Sequence, residues 1–430
     1  MSERFQNMNV LIVGSGGREH AICRAFRDSK RVNRVYCANG NAGIAEIAEC
    51  VAIKPDDIAG LAAFAEQNSV DLTFVGGETA LALGIVDEFQ ARGLRIFGPS
   101  KAAAELEASK SFAKDHMSRH GVPTAAYAVA NSPAEAVAVL ESGRFGGVST
   151  PVVVKADGLA AGKGVVVAAD RAEAIAAVND MAELVGADAA ETIVLEECLV
   201  GKEVSLLMFA SGGEYALMPA VRDHKRIGEG NTGPNTGGMG TFTDDSLLTA
   251  DELAAIKAAI VVPTLKGCVA DGYPFRGILF IGLMMTAAGP RVLEYNVRFG
   301  DPETQSVLVR LETDIADICD AVIDGTIGET DIKWRRGSSA CVVLAAANYP
   351  AKPIVGDAII GISDAEALNN VTVFHAGTAR NADGDIITAG GRVLGVTAVG
   401  NSLDDALRDA YAAVERISFA GMQFRRDIGR

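Results

Sequence analysis

The sequence predicts a multidomain protein of mixed α/β and α+β class, with the α/β domain at the N-terminus. Its 430 residues are 49% hydrophobic and 22% charged, and such a chain can form about three domains of ~150 residues, each with a buried core. The first part of the chain alternates strand-like and helix-like patterns, which favours a parallel sheet. The later parts carry strand pairs joined by short turns, which is typical of hairpins.

The N-terminal domain, residues 1–103, is predicted from apolar strands that end in glycine-containing turns. The first strand, residues 9–13, precedes the stretch GSGG and a helix over residues 18–28. Further strands are expected at residues 34–38, 71–75 and 95–97. Strands separated by helices imply a parallel sheet whose loops gather at the strand ends.

The second domain, residues 104–325, has a different pattern. An alanine-rich helix is expected over residues 101–120, ended by Gly121 and Pro123. Hairpins and helices follow, and the strands on either side of the KADGLAAGKGV stretch suggest a flap subdomain at about 122–190. The expected elements are strands at 151–156, 164–169, 192–197, 277–286 and 291–297, two strands within 204–221, and helices at 172–184 and 251–269.

A short charged connector at 325–337 separates this region from a small C-terminal α+β domain, residues 326–430. Its signals are hairpin turns at 382–385 and 390–391 and a terminal helix over residues 403–416. We find no internal repeat and no low-complexity tract.

Charge and composition exclude several classes of function. A net charge of −16 disfavours nonspecific binding to nucleic acid, whose phosphates need a basic surface. Residues 1–9 lack the apolar core of a signal peptide, and the uncharged windows 277–290 and 337–351 fall short of the ~18 apolar residues of a membrane span. Seven cysteines without a C-x-x-C pair fit reduced thiols. We therefore expect a soluble cytoplasmic protein without a membrane partner.

The GSGGREH stretch, residues 14–20, is a candidate anion site. It lies between a strand and a helix, so its backbone N–H groups and the helix N-terminus can hold a phosphate. A dinucleotide site is disfavoured because Glu19 occupies the third glycine position and the second strand ends in Cys37 and Ala38 without an acid. A tight turn without a ligand is the alternative interpretation.

The KADGLAAGKGV stretch, residues 155–165, resembles a P-loop but does not match one. Gly158 and Gly162 are too close together, and Gly164 stands where Ser or Thr would bind magnesium. The apolar runs on both sides indicate a mobile glycine flap between two strands, with Lys155 able to reach phosphates. A flexible hairpin with a solvated Lys163 is the alternative.

Glu294 and Asn296 are the candidate metal ligands. They are two residues apart on a predicted strand and so point to one face. Hard oxygen ligands suit magnesium, which takes one or two protein oxygens together with phosphates and waters. Arg298 follows on the same face, where it can neutralise a phosphoryl group or hold a carboxylate. Polar residues facing solvent at a strand end are the alternative.

Two further segments carry polar residues in suggestive positions. Glu196 ends a buried strand and can meet an adenine edge, while Glu203 begins the next strand and can accept from ribose hydroxyls. Residues 223–242 contain many glycines and polar groups, which predicts a loop that closes over a charged ligand. Ser111, Cys198 and His224 form no recognisable triad, so a covalent nucleophile has no support. His375 is interpreted as structural.

In this order along the chain, several motifs together resemble the phosphoribosylamine-glycine ligase family of the ATP-grasp superfamily. They are GSGGREHA, FGPS, LEASKSFAK, VVKADGLAAGKGV, DHKR, GPNTGGMG, LEYNVRFGDPETQ and FHAGT, and they span nearly the whole chain. The resemblance implies a doubly wound N-terminal domain, a central ATP-grasp core with a mobile flap, and a small C-terminal domain that completes the cleft.

The resemblance also implies a role for each matching residue. The phosphates of ATP would be contacted by Lys110 and Lys155, and its nucleoside would be contacted by Glu196 and Glu203. The flap positions that also bind the nucleotide would be Gly158, Gly162, Lys163 and Gly164. Glu294 and Asn296 would hold Mg²⁺ or Mn²⁺. The catalytic residues, near the reacting groups and glycine, would be Asp223, Lys225 and Arg298. The phosphoribosyl and other substrate contacts would be Gly14, Gly16, Gly17, Arg18, Glu78, Asn235, Gly237 and Gly238.

The implied reaction joins glycine to 5-phosphoribosylamine in de novo purine biosynthesis. ATP would be consumed through a glycyl phosphate, giving glycinamide ribonucleotide, ADP and phosphate. The alternatives are another ATP-grasp carboxylate-amine ligase and a non-catalytic nucleotide-binding protein. The chain differs from the family pattern at Gly77, Asn231 and Thr241. Its partners would be small molecules, with no nucleic acid, and it would be a monomer or a small homo-oligomer.

Overall fold

The computed structural model describes residues 7–159 and 164–430. Its N-terminal region is a five-stranded parallel sheet of order β3-β2-β1-β4-β5. The elements are β1 Met8–Gly14, α1 Gly17–Arg27, β2 Val32–Asn39, α2 Ile44–Ile47, β3 Glu49–Val51, α3 Ile58–Gln67, β4 Leu72–Val75, α4 Glu78–Leu83, α5 Ile85–Ala91 and β5 Ile96–Phe97.

Both faces of this sheet are covered, as a doubly wound fold requires. Along β1, Leu11 and Val13 belong to one apolar core, whereas Val10 and Ile12 belong to another on the opposite face. Alternate residues of a strand point to opposite faces. The predicted doubly wound N-terminal sheet is therefore confirmed.

The middle of the chain forms a separate four-stranded sheet of order β6-β9-β7-β8, which we call the flap sheet. Two helices, α8 and α9, pack on it around their own apolar core. The elements are α6 Lys101–Ala108, α7 Lys110–Arg119, β6 Tyr127–Ala130, α8 Pro133–Glu141, β7 Val152–Ala156, β8 Val165–Ala168, α9 Arg171–Val185 and β9 Ile193–Glu197.

Nine of the thirteen remaining strands build an antiparallel sheet, which we call the large sheet, and the other four form two separate two-stranded ribbons. Its order is β17-β16-β10-β12-β15-β18-β22-β19, with β11 paired to β10. The elements are β10 Lys202–Ser211, β11 Glu214–Leu217, β12 Val221–Asp223, β13 Arg226–Gly228, β14 Thr232–Asn235, β15 Gly240–Thr243, α10 Ala250–Ile256, α11 Val262–Ala270, β16 Arg276–Thr286, β17 Gly289–Asn296, α12 Glu303–Leu308, α13 Ile315–Asp324, β18 Ser338–Ala345, α14 Ile362–Glu366, β19 Val371–His375, β20 Thr378–Arg380, β21 Ile386–Thr388, β22 Arg392–Gly400 and α15 Leu403–Val414.

The large sheet joins the central and C-terminal parts of the chain. Strand β15 pairs with β18 through four residue pairs, from Gly240 with Val342 to Thr243 with Ser339. Helix α15 packs on β18 and β22 and closes the C-terminal core. Hydrogen bonding thus continues across the connector, while the boundaries expected at residues 103 and 325 stay predictions.

The predicted helix over residues 101–120 is wrong in one respect, because it is two helices that meet at Ser109. The Ser109 hydroxyl accepts from Phe112 N and caps α7. Asp157, from the base of the flap, also accepts from the backbone N–H groups of Lys110 and Ser111. Side-chain capping of free N–H groups starts a new helix at this point.

The predicted helix over residues 251–269 is also interrupted. A π-helical turn, Lys257–Val261, separates α10 from α11, and Pro263 near the start of α11 has no N–H to continue the α-helical bonding. The glycine-rich segment predicted as a loop contains the β13–β14 ribbon as well as parts of β12 and β15. Backbone pairing therefore orders much of that segment.

One helical stretch, Ala250–Ala270, has the length and composition of a membrane span, with a mean hydropathy of 1.7. The uncharged windows 277–290 and 337–351 lie outside this stretch. Length and composition are weak evidence, because core helices of soluble proteins satisfy the same criteria. In this structure Ile256, Ile260 and Leu265 of the stretch are buried in the core that also contains β17 residues.

Candidate active site

A cleft of about 400 Å³ opens between the flap sheet, helix α7 and the end of β17. Residues of the N-terminal region, the glycine-rich segment and β22 close its other end. This volume lies within the usual range of about 300–1,000 Å³ for small-molecule sites. All the large structural units of the chain therefore contribute to one site.

Two buried lysines share a carboxylate on the flap side of the cleft. Lys155 Nζ on β7 lies 2.8 Å from Glu196 Oε1, and Lys114 Nζ on α7 lies 3.0 Å from Glu196 Oε2. Burial lowers the pKa of Lys114 to about 8. Glu196 is 2% exposed, so its carboxylate orients both ammonium groups. Two ammonium groups at one edge of a cleft are suited to phosphate oxygens.

Lys110 lies one helical turn before Lys114 and points to the same cleft. Its Nζ donates to the carbonyl oxygen of Gly158 at 2.9 Å. Burial lowers the pKa of Lys110. The ammonium group therefore bridges α7 and the start of the flap loop.

Glu294 and Asn296 face the cleft from β17, as their spacing predicts. Burial opposes ionisation of Glu294, but Lys225, Lys155 and Lys110 hold its pKa below the usual range. An ionised carboxylate and an amide oxygen beside lysines suited to phosphate fit a hard divalent cation such as Mg²⁺. These two residues would hold the metal.

Arg298 lines the cleft and is held by three neighbours. Its guanidinium lies 3.1 Å from Glu78 Oε2 and 2.7 Å from Glu107 Oε1, and it donates to Asn296 Oδ1 at 3.2 Å. Burial raises the pKa of Glu78, but Arg298 and Arg18 outweigh it and bring the value to about 2. Arg298 is thus fixed next to the candidate metal ligands.

Acidic side chains surround Lys225 near the glycine-rich segment. Lys225 Nζ lies 2.8 Å from Glu203 Oε1 and 3.6 Å from Glu294 Oε1. Burial raises the pKa of Asp223 and of Glu303, and the charge of Glu303 raises that of Asp223 further. Within the described residues neither Asp223 nor Glu303 forms an ion pair. Both line the cleft, so this end can accept a proton or bind an ammonium group.

The GSGG loop connects the end of β1 to the start of α1, which carries Arg18. The Glu19 carboxylate accepts from Gly16 N at 2.6 Å and packs over Gly14, where a Cβ atom would meet Glu19 Cγ at 2.5 Å. At Gly17 a Cβ would meet Gln305 Nε2 at 2.5 Å. The glycines therefore allow close packing with Glu19 and with Gln305 of α12, while Arg18 reaches the cleft.

The structure gathers most of the sequence-predicted site residues around this cleft. Its lining contains Arg18, Glu78, Lys110, Lys155, Gly158, Gly164, Glu196, Asp223, Lys225, Asn235, Gly237, Glu294, Asn296 and Arg298. The lining omits Gly14, Gly16, Gly17, Glu203 and Gly238. Gly238 packs against Asp223 and Pro302. The predicted nucleotide contacts Gly162 and Lys163 lie outside the described residues.

Sequence reasoning missed Lys114, Glu107, Glu303 and Arg392. The spacing of Lys114 from Lys110 on a predicted helix could have indicated it, and Glu303 belongs to a motif already considered. Arg392 lies on β22, donates to the carbonyl of Gly237 and pairs with Asp301 Oδ2 at 3.3 Å. No local pattern indicates Arg392, because its partners are distant in sequence.

The cleft lies between the flap sheet and the large antiparallel sheet. It contains lysines suited to phosphate and oxygen ligands suited to a divalent metal ion, and this combination defines the class of ATP-grasp enzymes. Three family models match the chain: the N domain of phosphoribosylglycinamide synthetase over residues 8–107, its ATP-grasp (A) domain over 108–304 and its C domain over 339–430. The chain belongs to the phosphoribosylglycinamide synthetase family. Membership implies the use of ATP and a divalent metal ion.

Relatives and solved structures agree with this family. The phosphoribosylamine–glycine ligase of Xanthomonas campestris pv. campestris is 50% identical over 98% of this chain and 97% of its own. That of Caulobacter vibrioides is 45% identical over 99% and 98%.

A crystal structure of the ligase from Thermotoga maritima has a TM-score of 0.82 at 34% identity, covering 98% of this chain and all of its own. The biotin carboxylase domain of Hydrogenobacter thermophilus 2-oxoglutarate carboxylase has a TM-score of 0.73 at 16% identity, covering 97% of this chain and 92% of its own. At that identity the second likeness concerns the fold alone.

Proposed function

We propose that the chain is an ATP-dependent ligase that joins glycine to 5-phosphoribosylamine. The products are glycinamide ribonucleotide, ADP and phosphate, and the reaction belongs to purine biosynthesis. One observation carries the proposal: the lysines of β7 and α7 and the oxygens of Glu294 and Asn296 line a single cleft. Family membership supplies the substrates.

In the first step a carboxylate oxygen of glycine attacks the γ-phosphorus of ATP, and the bond to the ADP oxygen breaks. Lys110 and Lys155 hold the phosphates, and Arg298 orients the glycine carboxylate and neutralises the transferring group. A divalent ion, Mg²⁺ or Mn²⁺, on Glu294 and Asn296 would neutralise phosphate charge. Phosphoryl transfer depends mainly on such positioning and charge neutralisation.

In the second step the amine nitrogen of phosphoribosylamine attacks the carbonyl carbon of glycyl phosphate, and inorganic phosphate leaves. The nitrogen must lose a proton as the amide forms. Asp223 and Glu303 line the cleft, neither forms an ion pair with another described residue, and burial raises the pKa of both carboxyl groups. We infer that this pair of side chains binds the amine of phosphoribosylamine. One of the two carboxylates then accepts the proton that the nitrogen loses.

The glycine-rich segment and the N-terminal loop would hold the phosphoribosyl group. Arg18, Asn235 and Gly237 line the end of the cleft away from the flap. Arg392 joins them from β22 and bonds to the Gly237 carbonyl. Burial opposes ionisation of Arg392, but Asp301 and other nearby anions hold its pKa above the usual range. These cationic and amide groups suit a sugar phosphate.

The test is an ADP-release assay in which each substrate is omitted in turn, with glycine labelled by heavy oxygen in its carboxylate. ADP release should require glycine, and one labelled oxygen should appear in inorganic phosphate, because that oxygen bridges carbon and phosphorus in glycyl phosphate. Bicarbonate in place of glycine is the control for another ATP-grasp activity. Equal ADP release without glycine, or with bicarbonate, would contradict the proposed substrate.

A further inference from the structure

Three side chains with metal-binding donors meet on the side of α7 that packs against α11. They are His116, His120 and Asp271, and their donor atoms lie within 4.8 Å of one another. The two histidines are four residues apart, so both imidazoles lie on one face of α7, with ring centroids 4.7 Å apart. Gly267 of α11 leaves room for them, because a Cβ there would meet His120 Cδ2 at 2.5 Å and His116 Cε1 at 2.8 Å.

Hydrogen bonds fix which nitrogen of His116 faces the centre of the group. His116 Nε2 lies 3.2 Å from the Thr264 carbonyl oxygen, which accepts only, so Nε2 carries the hydrogen. The Nδ1 lone pair then faces Tyr273 Oη at 2.8 Å and Asp271 Oδ2 at 3.5 Å. Metal-bound histidines commonly donate their other N–H to a carbonyl in this way.

The separations of the donor atoms match a tetrahedral coordination shell. Asp271 Oδ2 lies 2.9 Å from His120 Nε2 and 3.5 Å from His116 Nδ1. Metal–ligand bonds of about 2.0–2.1 Å at tetrahedral angles separate neighbouring ligand atoms by about 3.3 Å. The two observed separations lie on either side of that value.

We propose that His116, His120 and Asp271 bind a divalent transition metal ion of the zinc class, with water as the fourth ligand. Imidazole nitrogens and a carboxylate select such an ion over magnesium, which prefers oxygen ligands. The site is distinct from Glu294 and Asn296 and independent of the proposed function. An ion here ties α7, which carries Lys110 and Lys114, to the end of α11.

Two groups compete with the metal for Asp271 Oδ2: the Tyr273 hydroxyl, which lies 3.0 Å away, and Arg119. Its Nη1 lies 2.6 Å from Asp271 Oδ2, while its Nε lies 2.6 Å from Asp115 Oδ2. The arginine side chain is 42% exposed. Metal binding requires its guanidinium to leave Asp271 and remain with Asp115. Removal of Arg119 should therefore strengthen metal binding.

The experiment titrates the full-length, chelator-treated protein with Co²⁺ in excess Mg²⁺, followed by competition with Zn²⁺. We expect one Co²⁺ per chain, with the visible absorption of a tetrahedral ion and without the near-ultraviolet band of thiolate ligation. Zinc should raise the melting temperature. His120→Gln should weaken Co²⁺ binding by more than about tenfold, since loss of even an outer-shell partner costs about 10–100-fold.

Arg119→Gln should strengthen Co²⁺ binding severalfold. Arg92→Gln is the matched control, because Arg92 also pairs with an acid four residues earlier, Glu88, at 2.7 Å, and its loss changes the net charge equally. His116 is fully buried, so the one-fifth-exposed His120 is the safer ligand to replace. Retained Mg²⁺-dependent activity of His120→Gln in zinc-free buffer would show that the variant folds.

Three results would overturn the proposal. One is the absence of stoichiometric Co²⁺ binding, and another is a thiolate band that assigns the ion to a cysteine. The third is unchanged binding in both His120→Gln and Arg119→Gln, or an equal gain in Arg92→Gln.

Discussion

Glu107 is a buried carboxylate that forms an ion pair with Arg298. Its Oε1 lies 2.7 Å from Arg298 Nη2, and its Oε2 accepts from Val297 N at 2.7 Å. Burial raises the pKa of Glu107 to about 6 from an ordinary value of 4.5, despite the opposing charge of Arg298. The folded protein therefore binds a proton here more tightly than the unfolded chain does.

This raised pKa has a consequence for stability. The contribution of the Glu107 carboxyl group to the free energy of unfolding is full below pH 4.5 and is lost as the pH rises through about 6. Glu107→Gln cannot ionise. Its single amide oxygen can accept from only one of the two donors, Arg298 Nη2 and Val297 N, and this loss lowers stability equally at every pH. Between pH 4 and 7 the free energy of unfolding of the wild type should fall by about 2 kcal/mol relative to the variant, since one pKa unit is about 1.4 kcal/mol.

Urea unfolding of the wild type and of Glu107→Gln between pH 4 and 7 measures the difference in their free energies of unfolding. The effects of the other carboxyl groups, which both proteins share, cancel in this difference. A difference independent of pH would contradict the assignment of the raised pKa to Glu107.

At the residue scale, the sequence indicates groups that occur in compact motifs and misses those that depend on tertiary contacts. Glu294, Asn296 and Arg298 were predicted as one polar face, because alternation along a strand is a local property. Glu107 lies within the LEASKSFAK motif and Arg392 lies in an ordinary strand pattern, but only the fold brings the two side chains to the cleft. The roles assigned to all of these residues stay predictions.

Among the secondary-structure elements, the junction between α7 and the flap determines how Lys110 is placed. The Asp157 carboxylate, at the end of β7, accepts from Lys110 N and Ser111 N and from the hydroxyls of Ser109 and Ser111. Lys110 Nζ returns to the Gly158 carbonyl. Asp157 therefore fixes the start of α7 relative to the base of the flap.

Replacing Asp157 with alanine should weaken ATP binding more than it weakens the fold. We expect the KM for ATP to rise about tenfold, equivalent to about 1.4 kcal/mol, with a small change in kcat, because Lys110 loses its fixed position. The loss of stability should be about 1 kcal/mol, as for other helix caps. Steady-state kinetics and thermal unfolding measure the two effects.

Asp170→Ala is the matched control, since Asp170 caps α9 in the flap sheet by accepting from Glu173 N at 2.9 Å and does not line the cleft. It should lose similar stability with an unchanged KM. An equal rise in KM for both variants would show that Asp157 acts only through general stability.

The elements also show where sequence patterns are insufficient. The period of residues 101–120 is helical throughout, yet the chain breaks at Ser109 because Asp157, some way along the chain, competes for the backbone N–H groups. The glycine-rich segment reads as a loop because glycine disfavours strands, whereas β13 and β14 pair there across a short turn. Long-range hydrogen bonds decided the first outcome, and local backbone pairing decided the second.

At the scale of the whole molecule, the cleft depends on the placement of the N-terminal sheet on the large sheet. Asp320 of α13 binds Arg31 at 2.6 Å and Arg95 at 2.8 Å, both from the N-terminal region. Phe74 of β4 also stacks near Phe299, with centroids 6.1 Å apart. This packing brings Arg18 and Glu78 to the end of β17, where Arg298 meets them.

The general architecture was predictable, because the alternation of strands and helices and the hairpin signals are local. The continuity of the large sheet from β17 to β19 was not, since it depends on the pairing of β15 with β18 across the connector. The composite cleft is a consequence of that continuity.

The central claim is that the triphosphate of ATP lies between Lys110 and Lys155 on one side and the oxygens of Glu294 and Asn296 on the other. A crystal structure with a non-hydrolysable ATP analogue and Mn²⁺, located by anomalous scattering, tests it most directly. We expect the manganese peak on Glu294 and Asn296, with phosphate oxygens bonded to both lysines. A nucleotide bound elsewhere, or a metal peak away from β17, would contradict it.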